Sequence, residues 1–298
     1  MTQVADMAEG AERRKGVGPL IPPLTETQRP LRQQIFERIR AAGHIPRVTL
    51  ARELDVSPAS VTTICAELIE AGLIEEIAAP RDADSPRGRP AVALGVRADA
   101  HLVAGMKLSD REHTAVVVDF AGNLIADEAV PRQPGAMTLE ALLEAIEALL
   151  VRVCAKAGIA PRDLTAVGIG VPGFVDVAEG LVHWSSVLQD RAVPLAAAAT
   201  AHIGVPVSID NDANLVALAE LWFGAGRSLS DFAVVTIEHG VGMGFVWDGT
   251  AFTHAKLRLR VAPVPKRDFG STGASGMNCR DTFARLVEKY NANKELAA

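Results

Sequence analysis

The 298-residue sequence is poor in aromatic side chains, with nine Phe, three Trp and one Tyr. Ala, Val, Leu and Ile therefore carry most of the 49% apolar content. That balance is usual for α/β proteins with a substantial buried core. Cysteine is scarce too. Cys65, Cys154 and Cys279 lie far apart and form no CxxC pair. This argues against a disulfide framework or a structural zinc site built on them, and buried thiols in a reducing compartment are expected. No apolar run nears the roughly 18 residues that cross a bilayer. The N-terminus lacks the apolar centre of a signal peptide. A cytoplasmic protein without membrane contact is the default. Excess positive charge is also missing: 30 Lys and Arg stand against 36 Asp and Glu, a net −6. Any nucleic-acid contact must then come from a local patch.

The length suggests two or more domains. Residues 1–29 mix Gly, Pro and both charges without apolar periodicity and read as a flexible tail. Leu31, Ile35, Phe36 and Ile39 then recur at helical spacing, with Pro30 before them and Gly43 after. Thr49 is expected to cap a short second helix holding Leu50 and Leu54. Asp55-Val56-Ser57 makes a turn. Ser57 caps a third helix that opens on Pro58 and buries Val61, Ile64, Cys65 and Leu68. Extended segments at residues 74–78 and 91–94 flank a polar loop from Pro80 to Pro90. Three helices followed by two strands around a loop describe a winged helix-turn-helix over residues 30–97.

Such a domain sets its recognition helix in the major groove, with side chains near the helix start reaching base edges. Here those positions hold Ser57, Ala59, Ser60, Thr62 and Thr63. They are short and hydroxyl-rich, suited to close approach, phosphate bonds and methyl contacts. Arg47 and Arg52 are candidate phosphate ligands. In the wing, Arg87 and Arg89 around Gly88 suit a narrow A·T minor groove, although Asp82 and Asp84 dilute the charge. A small helical domain for protein contact would share the helices. The full order, ending in Gly88-Arg89-Pro90, favours operator DNA.

From His101 the pattern becomes α/β. Strands are expected at 102–108, 114–120, 124–130, 164–171 and 206–210, and helices at 139–157 and 214–223. A hairpin of 232–237 and 245–248 encloses Glu238-His239-Gly240-Val241-Gly242-Met243-Gly244. Residues 98–255 form the second domain. Residues 256–298 turn basic, lose periodicity apart from a helix at 281–290, and form an atypical segment.

Four motifs stand in order: Gly88-Arg89-Pro90; Gly170-Val171-Pro172-Gly173; Asn211-Asp212-Ala213-Asn214 with Leu218-Ala219-Glu220; and Gly240-Val241-Gly242-Met243-Gly244. On these the chain resembles the ROK family of repressors and sugar kinases over about residues 31–255. The resemblance implies an actin- and hexokinase-like (ribonuclease H-like) fold of two α/β lobes around a sugar cleft. It places Pro172, Gly173, Asn211 and Asp212 at the sugar. The chemistry is suitable: a carboxylate at Asp212 can take a hydroxyl proton, and the Asn211 amide can bond sugar hydroxyls. The alternative is that Asn211 and Asp212 only cap the next helix.

Family kinases carry an Asp-x-Gly-Gly-Thr turn for phosphate, where backbone N–H groups need small residues. The matching stretch here reads Gly105-Met106-Lys107-Leu108-Ser109-Asp110, and Glu238-His239 puts a carboxylate before the second glycine-rich turn. Both argue against ATP. The family's Gly-Glu-x-Gly-His segment and Cys-x-Cys-Gly-x-x-Gly-Cys zinc cluster do not follow Ala255, and His254 and Cys279 do not replace them. The second lobe is therefore expected to be incomplete and the last segment unrelated to the fold. The implied protein is a sugar-responsive repressor of carbohydrate-utilisation genes, binding operator DNA as a homodimer. A sugar or sugar phosphate is its effector, and it has no catalytic residue, cofactor or metal. Competing readings are an ATP-dependent sugar kinase with an appended helix-turn-helix, and a non-functional remnant.

Overall fold

A computed structural model describes residues 16–23, 29–78, 92–237 and 241–251. Helix α1 (Leu31–Ala42) starts after Pro30 and stops at Gly43, whose φ of 76° few other residues adopt. A two-residue strand β1 (His44–Ile45) leads into α2 (Arg47–Glu53). Helix α2 begins at Arg47 after Pro46, so Thr49 is inside the first turn and not its cap. Proline, with φ fixed at −68°, pre-sets that helix start without a side-chain bond. Helix α3 (Pro58–Glu70) follows, with the Ser57 hydroxyl oxygen accepting from the Ser60 N–H at 3.1 Å. Gly72, at φ 71°, turns the chain into β2 (Ile74–Ala78). Strand β3 (Val92–Val96) returns antiparallel to it, and the sheet order is β1–β3–β2. The Ala78–Val92 pair closes the base of the wing. Arg87, Gly88 and Arg89 lie outside the described residues.

This domain has its own core. Ile35 and Ile39 of α1 meet Leu50 of α2, Val61, Cys65 and Leu68 of α3, and Ile74 and Leu94 of the sheet. Burial there pushes the Cys65 thiol pKa up, against a smaller opposing pull from Arg47. Truncating a Leu here to Ala would cost about 2–5 kcal/mol. The helix-turn-helix geometry therefore rests on side chains that never touch a ligand.

The second domain opens with β4 (Leu102–Lys107), β5 (Glu112–Asp119) and β6 (Leu124–Pro131). Helix α4 (Leu139–Ala157) comes next, capped by Thr138 and ended by Gly158 at φ 72°. Strand β7 (Ala166–Val171) follows. A small hairpin of β8 (Phe174–Asp176) and β9 (Leu181–Trp184) precedes helix α5 (Leu195–Ile203) and strand β10 (Val207–Asn211). The sheet order is β10–β7–β4–β5–β6, with β10, β7 and β4 parallel and the rest antiparallel. Helix α4 buries Leu142, Ile146, Leu149, Leu150 and Val153 in the core it shares with the sheet residues.

Helix α6 (Asp212–Phe223) leads to a second sheet of β11 (Phe232–Ile237), β12 (Val241–Trp247) and β13 (Thr250–Ala251). Val241 to Gly244, expected in a phosphate-type turn, are instead strand. Their glycines serve packing. A Cβ on Gly244 would lie 2.4 Å from the Ala213 carbonyl oxygen, and one on Gly242 would lie 2.9 Å from the Ala213 Cβ. Glu238, His239 and Gly240 lie outside the described residues, as do residues 252–298.

Residues 16–23, expected within a flexible tail, form an ordered strap between the two domains. The Val17 N–H donates to the Arg40 carbonyl at 2.9 Å, and the Gly18 N–H to the Trp222 carbonyl at 2.8 Å.

Candidate DNA interface and sugar site

Helix α3 divides cleanly. Val61, Cys65 and Leu68 are buried, while Ala59, Thr62, Thr63 and Ala66 are exposed. The Ser57 and Ser60 hydroxyls lie 2.8 Å apart, and the Thr62 hydroxyl donates to the Pro58 carbonyl at 2.8 Å. With its proton so engaged, Thr62 can offer a base edge its methyl, the contact that suits thymine, or an accepting oxygen. The two arginines separate. Arg52 is exposed in the last turn of α2, whereas an Arg47 Nη lies 2.7 Å from a Glu76 carboxylate oxygen on β2. Arg47 thus braces the recognition region against the wing, and a phosphate would have to compete with Glu76.

The candidate sugar residues meet at the carboxyl ends of β7 and β10, where ligands gather in open α/β sheets. Asn211 pairs with Val171 across the parallel strands. Its side-chain oxygen accepts from the Ala213 N–H at 2.9 Å and so caps α6. Its amide donates to the Gly173 carbonyl at 2.7 Å. Gly173 sits at φ 127°, and a Cβ there would lie 2.1 Å from the Trp184 carbonyl oxygen. Only glycine lets the loop after Pro172 approach the β8–β9 hairpin so closely. Asp212 is half-buried at the first turn of α6, with a carboxylate oxygen 3.0 Å from the Ala213 nitrogen. The capping reading and the site reading therefore describe the same residues.

Asp210, just ahead of the motif, and Asn214, its last residue, are further functional candidates. The Asp210 carboxylate is buried and accepts from the Asn211 N–H at 2.6 Å and the Asn214 amide at 2.9 Å. A carboxylate ending a strand, with an amide four residues later, is the signal the sequence holds for them. These bonds hold the strand-to-helix corner that presents Asp212.

The β4–β5 turn holds Ser109 and Asp110, the end of the stretch expected to match the phosphate turn of family kinases. The Ser109 N–H donates to His113 Nδ1 at 3.2 Å, and the Ser109 carbonyl accepts from Arg132 at 3.2 Å. His113 is 4% exposed. Burial, reinforced by the nearby Arg132 charge, pushes its pKa down to about 4. The ring is neutral at pH 7, and with Nδ1 accepting, its proton sits on Nε2, which is buried and without a hydrogen-bond partner. A backbone N–H that a phosphate could use is already spent on this histidine. Among the described residues no group of three His, Cys, Asp or Glu side chains is placed to hold a metal; the stretch after Ala255, where the family's zinc cluster would fall, lies outside them.

A ROK family model matches residues 103–256, and a winged helix-turn-helix DNA-binding model matches residues 28–75. The chain is 31% identical over 218 residues to the DNA-binding transcriptional repressor Mlc of Escherichia coli K12, a match covering 72% of this chain and 52% of that protein. It is 30% identical over 211 residues to the xylose repressor of Caldicellulosiruptor bescii, covering 71% and 52%. A solved ROK family transcriptional regulator, a homolog of the E. coli MLC protein, aligns with a TM-score of 0.62 at 28% identity. That alignment covers 87% of this chain and 67% of that one. The chain spans about half the length of the curated relatives it matches. Family model, motif order and the two-domain architecture agree: the chain belongs to the ROK family, with a winged helix-turn-helix ahead of its actin- and hexokinase-like domain.

Proposed function

We propose that this chain is a sugar-responsive transcriptional repressor of carbohydrate-utilisation genes that performs no phosphoryl transfer. The observation that carries the reading is α3, capped by Ser57, with its small face of Ala59, Thr62 and Thr63 turned to solvent beside the wing. Major-groove contact through that face, phosphate contact through Arg52, and minor-groove contact through Arg87, Gly88 and Arg89 make up the DNA interface. A homodimer reads two half-sites by symmetry. The names of the relatives, a transcriptional repressor and a xylose repressor, support this.

The effector is a sugar or sugar phosphate held near Pro172, Gly173, Asn211 and Asp212. It acts by favouring one of two domain arrangements, which requires different affinity for each. The Ser109 N–H, already donated to His113 within the turn, supports a non-enzymatic role. No helix of the described residues is long and apolar enough to cross a membrane, and we place the protein in the cytoplasm.

A gel shift on the DNA upstream of the coding sequence, with and without glucose, N-acetylglucosamine and xylose, tests the reading. Specific binding relieved by one sugar is expected, and the same preparation should form no ADP from ATP with any of them. Sugar-dependent ADP release would establish the kinase reading instead. Absence of specific binding would point to the remnant.

A further inference from the structure

Helix α6 has Asn211 and Asp212 at one end and meets the DNA-binding domain at the other. Its twelve residues span roughly 18 Å. At the far end, the Arg40 guanidinium of α1 lies over the Trp222 ring, 4.0 Å from its centroid. Arg227, just past α6, donates to the Ala41 carbonyl of α1 at 2.6 Å and to the Gly18 carbonyl of the strap at 2.8 Å. The strap answers with its Leu20 N–H on the Arg227 carbonyl at 2.7 Å. Gly16 is pressed so close that a Cβ would lie 2.3 Å from the Ala41 carbonyl oxygen.

We infer that this junction of Arg40, Trp222, Arg227 and residues 16–23 is the joint through which occupancy of the sugar end of α6 sets the orientation of the winged helix. The inference rests on the sugar-responsive reading above. Three features make it a joint and not merely a contact. The recognition helix α3 packs in one core with α1, so a rotation of α1 carries α3 with it. The elements tied to α1 here, Trp222 and Arg227, sit on or beside the one helix whose first residues are the candidate sugar ligands. The bond set is also uneven. Arg40 is largely desolvated, its buried Nε has no hydrogen-bond partner, and its charge is offset by the nearby Glu37 carboxylate and by the ring faces of Phe36 and Trp222. A satisfied core does not open easily, whereas a desolvated cation held by ring faces, one carboxylate of its own helix and one strap has a second, hydrated state within reach.

The test uses the full chain with Trp222→Leu, Arg227→Gln and, as the conservative control, Trp222→Phe, which keeps a π face. Affinity for the upstream DNA is measured by anisotropy with glucose, N-acetylglucosamine and xylose, and backbone amide exchange is followed at Val17, Gly18 and Leu20. The wild type should show protected strap amides and a sugar-dependent change in affinity of about tenfold, within the usual span of allosteric coupling. In Trp222→Leu and Arg227→Gln the amides should exchange faster and the sugar factor should fall towards one, while Trp222→Phe keeps both. Variants that lose strap protection yet retain the sugar factor would overturn the inference. If no sugar affects the wild type, the sugar reading fails, and the joint is then judged on DNA alone. A several-fold change in DNA affinity on opening the strap supports it, and none overturns it.

Discussion

The amide of Asn211 donates to the Gly173 carbonyl at 2.7 Å while its oxygen caps α6 through the Ala213 N–H. One side chain thus fixes the start of the helix and the loop that faces it. Replacing Asn211 with Ala should cost about 1–2 kcal/mol, a lost cap and a lost buried bond. Asn211→Asp separates the two roles, since a carboxylate still accepts from Ala213 but cannot donate to Gly173. Urea denaturation should place Asn211→Asp measurably below wild type. Equal stability would mean that only capping matters.

His113 supplies a pH signature. Its ring is neutral in the folded chain down to about pH 4, while an unfolded histidine protonates near 6.5. A pKa lowered on folding gives stability that is complete above 6.5 and declines as pH falls towards 4. At pH 4 the loss from this ring is about 3 kcal/mol. Asn at this position can accept from the Ser109 N–H without titrating, so His113→Asn should flatten the stability curve between pH 6.5 and 4. Parallel curves for the two proteins would show that His113 contributes nothing to the pH dependence.

Gly244 distinguishes packing from phosphate binding. Its missing Cβ lets β12 lie against the backbone of α6 at Ala213. Gly244→Ala should destabilise by about 1–3 kcal/mol through overpacking, and thermal unfolding would register it. A variant as stable as wild type would reopen the view that this glycine waits for a ligand.

The arginines of α2 should behave unequally on DNA. Arg52→Ala should weaken binding to all sequences and lower the salt slope by about 0.9. Arg47→Ala should do less, because Arg47 is already held by Glu76 at 2.7 Å. The reverse ranking in a salt titration would show that the Glu76 pair breaks on DNA.

Long periodic elements are legible in the amino-acid sequence. Helix α4 has the bounds its apolar stripe predicts, and α3 starts where Ser57 and Pro58 place it. Short or featureless elements are not. Helix α5 has five Ala among nine residues and only Thr200 and His202 to mark a polar side, so it shows little stripe. The β8 and β9 strands have three and four residues, too few to display a period of two. Thr49 looks like a cap because its residue type fits, but Pro46 sets the helix start first. The glycines of β12 look like a turn because sequence cannot tell a glycine needed for φ from one needed for space. At the candidate site the residue types are readable from the motif, while the bond from Asn211 to Gly173, 38 residues away, depends on the sheet register. The strap is hard to read from sequence because its own bonding groups are backbone N–H and C=O, which every chain has, and a side-chain partner such as Arg227 lies 209 residues away from Gly18.

The most direct measurement is competitive binding of the full chain to upstream DNA and to a shuffled duplex at fixed salt, with each sugar added in turn. The upstream sequence should be preferred by a factor of at least about 10³, and that preference should be reduced by one sugar and unaffected by ATP. Equal affinity for both duplexes, unchanged by every sugar, would contradict the repressor reading.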